Sequence, residues 1–110
     1  MPPRFKVSPK AERTLDGITF DSKKEMMRYA ELKLLQRAGE IEGLTCQPSY
    51  TLEIGGKPFC KYTADFSYIQ RNVFVIEDVK STGTVKDSAY KLRKKAFELS
   101  MGLKVTEVIR

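Results

Sequence analysis

The chain has 110 residues, a formal net charge of +6 and no histidine. That length supports one hydrophobic core, hence a single domain over residues 1–110, and the missing imidazole excludes histidine triads, histidine-ligated zinc and histidine-metal nuclease chemistry. Cys46 and Cys60 are too few for a disulfide framework and lack metal-site spacing, so they read as small, buried, reduced residues, and nothing points to zinc or haem.

No apolar run approaches a membrane span, and Met1-Pro2-Pro3-Arg4 carries no apolar signal region, so the expectation is a cytoplasmic chain with no membrane partner. Residues 1–11 read as a loose, flexible arm. Asp16-Gly17, flanked by β-formers, predicts a short hairpin. Ser22-Lys23-Lys24-Glu25 has the form of a helix capping box, and the helix predicted over 26–38 places Met27, Ala30, Leu34 and Ala38 on one inward stripe, with Gly39 as its stop. Strands follow at 49–54, 59–69 and 73–80, with a turn at Gly55-Gly56-Lys57-Pro58 and a polar loop at 81–84. A second helix is expected over 86–101, with Ala89, Leu92, Ala96 and Leu99 inward and Gly102 as its stop, and a last strand over 103–109. Helix, three strands, helix, strand describes an α/β fold with a mixed sheet.

The chemistry concentrates in Val73-Phe74-Val75-Ile76-Glu77-Asp78-Val79-Lys80. Side chains alternate along a strand, so Asp78 and Lys80 share a face and Glu77 takes the other. A two-residue turn at Arg71-Asn72 puts Asp65 opposite Asp78, whereas a three-residue loop puts it opposite Glu77. Two carboxylates that close repel each other, and Lys80 offsets only one of the charges. The remaining charge suits a hard divalent ion with oxygen ligands, most naturally magnesium, which would serve hydrolysis of a phosphate ester with Lys80 beside the attacking water. The plain alternative is an Asp78–Lys80 surface ion pair with Glu77 solvated.

Asp65, thirteen residues before Asp78-Val79-Lys80 and set between an acidic helix and a basic one, resembles the PD-(D/E)XK nuclease superfamily. More closely, Phe20-Asp21-Ser22-Lys23-Lys24-Glu25, Ala38-Gly39-Glu40-Ile41, Gln47-Pro48 and Tyr62-Thr63-Ala64-Asp65-Phe66 resemble a family of small phage proteins related to endonuclease I. Ala64 stands where the first motif has its proline, and Asp78 replaces the commoner Glu. The resemblance implies a restriction-endonuclease-like αβββαβ core, with a mixed sheet flanked by helices and preceded by the short N-terminal β-hairpin. It implies a site on Asp65, Asp78 and Lys80, with Glu25 as a further acid from the first helix. Glu25 is also the third helical residue of the capping box, and Glu77 is the runner-up to Asp78 for the metal. Gln47 fits the pattern without a derivable role.

Lys86, Lys91, Lys94 and Lys95 crowd the second helix, and Lys23 and Lys24 sit in the first turn of the other, where free backbone N–H groups favour anions. These groups suit a DNA backbone, or else an ordinary solvated face. Two functions follow as expectations. One is a magnesium-dependent DNA endonuclease (manganese substituting) acting as a homodimer on branched DNA such as four-way junctions, the branched substrate coming from the resemblance alone. The other is a non-catalytic DNA-binding or phage assembly module on the same scaffold.

Overall fold

Three tight turns set the β architecture. Asp16-Gly17, Gly55-Gly56 and Arg71-Asn72 all take positive φ, the signature of a type I′ turn, whose twist matches that of the strands it joins. They close the pairs Leu15↔Ile18, Ile54↔Lys57 and Gln70↔Val73. Arg71 and Asn72, at φ 53° and 66°, hold this left-handed backbone without a glycine.

The computed structural model describes residues 8–81 and 87–110. A 3-10 turn at Lys10–Arg13 leads into β1 (Thr14–Leu15) and β2 (Ile18–Thr19). Then come α1 (Lys23–Arg37), β3 (Glu42–Cys46), β4 (Ser49–Ile54), β5 (Lys57–Thr63), β6 (Phe66–Gln70), β7 (Val73–Lys80), α2 (Ser88–Met101) and β8 (Val105–Ile109). The main sheet runs in the order β3-β6-β7-β8 and is mixed, because β7 and β8 pair in parallel. β4 and β5 form a separate two-stranded sheet inserted between β3 and β6. With that insert set aside, α1, β3, β6, β7, α2 and β8 give the expected αβββαβ order, preceded by the expected β1–β2 hairpin. Residues 1–7 of the expected arm, 82–84 of the expected loop and Lys86 lie outside the described residues.

The strands differ from the sequence expectation in two places. The single strand expected over 59–69 is two strands in different sheets, divided at Ala64-Asp65. The Gln47-Pro48 turn imposes the break: Gln47 N–H donates to the Asp65 carbonyl (2.8 Å) and Ala64 N–H to the Pro48 carbonyl (3.0 Å). The segment after Ile41, left without an element by its sequence, is the edge strand β3. Gly43 at φ 67° interrupts its alternation, and its register shifts between Glu42 and Thr45.

Both helices bury a stripe other than the expected one. α1 turns Glu25, Tyr29 and Leu32 inward and leaves Met27 and Leu34 48% and 60% exposed. α2 turns Tyr90 and Phe97 inward and leaves Leu92 and Leu99 72% and 77% exposed. Aromatic rings decide the rotation, since each buries more area than an aliphatic side chain. Tyr29 meets Phe20 at 5.0 Å between centroids, and Phe97 meets Tyr62 at 4.7 Å and Tyr50 at 5.1 Å.

The core therefore has two parts. Phe20, Tyr29, Leu32, Ile41, Phe66 and Tyr68 fill one, with Val75 and Val79 of β7 against it. Leu52, Tyr62, Ala64, Ile76, Phe97 and Val105 fill the other. Odd-numbered residues of β7 thus look toward α1 and even-numbered ones toward α2. Cys46 and Cys60 are half-buried free thiols. No described helix is long and apolar enough to cross a membrane.

Candidate functional site

Glu77 and Asp78 are adjacent, both essentially without solvent exposure, and the two faces of β7 treat them differently. On the α1 face, Glu77 is paired with a cation. Arg28 donates from Nε to Glu77 Oε1 (2.6 Å) and from Nη2 to Oε2 (3.0 Å), and the Tyr68 hydroxyl adds a bond to Oε2 (2.6 Å). A planar guanidinium gripping a buried carboxylate in this way is a strong structural pair. Glu77, the runner-up ligand, is committed to it.

On the other face Asp78 meets no arginine among the described residues. The Tyr62 hydroxyl donates to its Oδ2, and the Asp65 backbone N–H donates to its Oδ1 (3.0 Å). Burial, followed by this bond to Asp78, pushes the Tyr62 phenol far above its usual range. The ladder runs from Gln70↔Val73 to Phe66↔Glu77, so the two-residue turn sets Asp65 next to Asp78. The half-buried Asp65 carboxylate accepts the Val79 N–H at Oδ2 (2.7 Å).

Glu25 reaches the same place from α1. The Ser22 Oγ caps its backbone N–H (3.1 Å), while its own carboxyl is buried and feels the Asp65 charge. The capping geometry and the reach to the sheet are thus compatible in one residue. Burial first, then the Asp65 charge and hydrogen bond, push the Glu25 carboxyl up to about 8. Burial also raises Asp65, with the Asp78 charge adding to it, against the lowering effects of the Val79 amide and the Lys80 ammonium. Both shifts run the same way, so each carboxyl of the pair resists ionisation beside the other. Glu25 Oε1 is left without a hydrogen-bond partner among the described residues.

Lys80 lies on the Asp78 face, its Nζ 4.6 Å from the centre of the Tyr90 ring. Tyr90 donates its hydroxyl to Glu107 Oε2 (2.8 Å), and Glu107 Oε1 lies 3.6 Å from Lys94 Nζ. Glu107 is also the direct β8 partner of Asp78 across the parallel pair. Lys91, Lys94 and Lys95 line one cavity on α2, Lys23 is exposed, and Lys24 donates to the Arg110 carbonyl. Lys86 lies outside the described residues.

The donor set can be tested against a hard divalent cation. Two adjoining carboxyls, a buried oxygen with no partner and a surplus of negative charge are what such an ion satisfies, so Glu25 and Asp65 fit it. Asp78 adjoins them with both oxygens already bonded. Among the described residues, no three acidic or cysteine side chains are arranged as a ready cage.

Sequence reasoning brought together Glu25, Asp65, Asp78 and Lys80 and missed Arg28, Tyr62, Tyr90 and Glu107. Arg28 carried a usable signal, one helical turn after Glu25 and thus on the same side of α1. Tyr62 shares strand parity with Ala64, which could have placed it on the inner face.

The fold and site together define a mixed α/β domain with a carboxylate cluster at the end of a central strand. A family described as "Protein of unknown function (DUF1064)" matches residues 6–110, and the chain belongs to that family. Comparison with curated proteins and comparison with solved structures each returned no match.

Proposed function

We propose that this protein is a magnesium-dependent DNA endonuclease that hydrolyses phosphodiester bonds, with branched DNA of the four-way-junction type as its substrate. The observation that carries the reading is the buried Glu25 carboxyl, its Oε1 unpartnered, against the half-buried Asp65, beside Asp78 and within electrostatic reach of Lys80. Glu25 and Asp65 are the residues that would hold the ion, and Asp78 would join them by exchanging its Tyr62 bond for the metal. A bound magnesium ion supplies a Lewis acid beside the phosphodiester, and manganese can replace it. Asp78 fixes the Asp65 backbone through its Oδ1, and Asp65 in turn accepts from Val79, so each carboxylate orients the other. Lys80 offsets charge on the Asp78 face and positions the attacking water there. Lys23, Lys91, Lys94 and Lys95 add affinity for the DNA backbone without reading sequence. Each chain carries one centre, so cutting two strands calls for a homodimer.

The test is cleavage of labelled junction, flap and duplex DNA with Mg²⁺, Mn²⁺ or EDTA. Metal-dependent cleavage is expected, and Asp78→Ala should lower it by about 100-fold or more, the scale on which removing a group active in the transition state is felt. No cleavage under any metal, or full activity in Asp78→Ala, would end this reading.

The second reading, a non-catalytic DNA-binding or phage assembly module on a nuclease scaffold, is favoured by one observation. Both Asp78 oxygens are already bonded inside the protein. It predicts DNA binding indifferent to divalent metal, with Asp65→Ala and Asp78→Ala harmless to that binding.

A further inference from the structure

Between α2 and β8 lies a cavity of about 310 Å³, lined by Lys91, Lys94, Lys95, Lys104, Glu98, Leu99 and Glu107. We propose that it is a phosphate subsite, holding a backbone phosphate of the nucleic-acid strand that flanks the scissile bond. The identity of that strand rests on the endonuclease reading.

Charge is the first argument. Four ammonium groups meet two carboxylates, and both carboxylates have other duties. Glu98 Oε2 accepts the Val105 N–H (2.8 Å) and Glu107 Oε2 accepts the Tyr90 hydroxyl (2.8 Å). Lys94 is within ion-pair distance of Glu107 (3.6 Å), while Lys91, Lys95 and Lys104 form no ion pair among the described residues. The cavity therefore has a net positive lining whose acids are fixed in place and three of whose lysines remain available for an anion. Leu99, 77% exposed, adds an apolar spot beside the ammonium groups, suited to the sugar between two phosphates.

Position is the second argument. Glu107 is the register partner of Asp78, so the cavity wall stands one strand spacing, about 5 Å, from the strand that carries the candidate site. Tyr90 is the partition: Lys80 sits over its ring while its hydroxyl holds Glu107 at the cavity edge. A nucleic-acid strand advances about 3.4 Å per nucleotide along its axis, so a phosphate within a few nucleotides of the scissile one can reach the cavity.

The test measures binding and cleavage separately. Wild type, Lys95→Gln/Lys104→Gln and the charge-matched control Lys10→Gln/Lys57→Gln are titrated with labelled junction DNA in EDTA over a salt series. The same proteins are then assayed for cleavage with Mg²⁺ and Mn²⁺. The cavity variant is expected to reduce the slope of log K against log salt by about 0.9 for each phosphate it no longer neutralises, with the control close to wild type. A neutral methylphosphonate at one flanking linkage should weaken binding to wild type and not to the cavity variant. It also separates a backbone phosphate from free inorganic phosphate, which would leave the methylphosphonate without effect. An unchanged slope in the cavity variant, with a wild type that cleaves, overturns the subsite and leaves the enzyme standing. A reduced slope with no cleavage under any metal keeps the subsite and overturns the enzyme. No nucleic-acid binding at all overturns both.

Discussion

Glu77 and Asp78 differ by one position and hardly at all in burial, yet they meet opposite solutions to the same problem. Burying a carboxylate is costly unless it is paired or hydrogen-bonded. On the α1 face the answer is a guanidinium: Arg28 grips both Glu77 oxygens, and α1 is thereby fastened to β7. On the α2 face the answer is a phenol and a backbone amide, both neutral. The negative charge there is held in place rather than cancelled, and the Glu25–Asp65 pair beside it adds more. One side of the strand pairs its charge with a cation, and the other keeps the charge that the proposed endonuclease would use.

Disturbing each face of the strand in turn separates the two roles. Arg28→Ala strands a buried Glu77 carboxylate, so it should cost about 3–5 kcal/mol of folding stability, the range for removing one partner of a buried pair. Chemical denaturation would read it, and a loss below about 1 kcal/mol would deny the pair its structural role. Next in size, Asp78→Asn keeps the shape and removes the charge. Cleavage per folded molecule should fall about 100-fold or more, while the melting temperature moves by only a few degrees. Tyr62→Phe deletes one hydrogen bond to a charged group, expected to cost about 1.5–3 kcal/mol in the same denaturation experiment.

The Glu25 carboxyl gives a pH signature of definite sign. Its value in the folded protein is about 8 against an ordinary 4.5. Between those limits the native state keeps a proton that the unfolded chain has released, so stability falls as pH rises across that window. In EDTA the melting temperature should therefore decline over that range, Glu25→Gln should flatten the decline, and Mg²⁺ or Mn²⁺ should oppose it in wild type. A rise with pH would contradict the raised Glu25 carboxyl. The smallest effect belongs to the exposed leucine stripe of α2: Leu92→Gln should change stability by no more than about 0.5 kcal/mol, and a larger loss would restore the inward stripe expected from sequence.

Much of this was legible in the residues, and the failures have physical reasons. Asp16-Gly17 and Gly55-Gly56 announced their turns, and the Arg71-Asn72 turn fixed the register that seats Asp65 beside Asp78. Strand parity separated Glu77 from Asp78 correctly, because a one-residue step changes face. Helix rotation was misread because Met27, Ala30 and Leu34 keep a sound apolar spacing, while Tyr29, Tyr90 and Phe97 bury larger surfaces. The break at Ala64-Asp65 was invisible because its cause, the Gln47-Pro48 turn, lies far away in sequence. Arg28 was passed over because a buried acid declares its need of a partner without naming one.

The most direct test of the two-faced strand is the rate of Mg²⁺-dependent junction cleavage per folded molecule, compared between Asp78→Asn and Glu77→Gln. Asp78→Asn is expected to fold and not to cut, while the folded fraction of Glu77→Gln, though less stable, cuts at close to the wild-type rate. Equal loss of turnover in both, or cleavage surviving in Asp78→Asn, would contradict it.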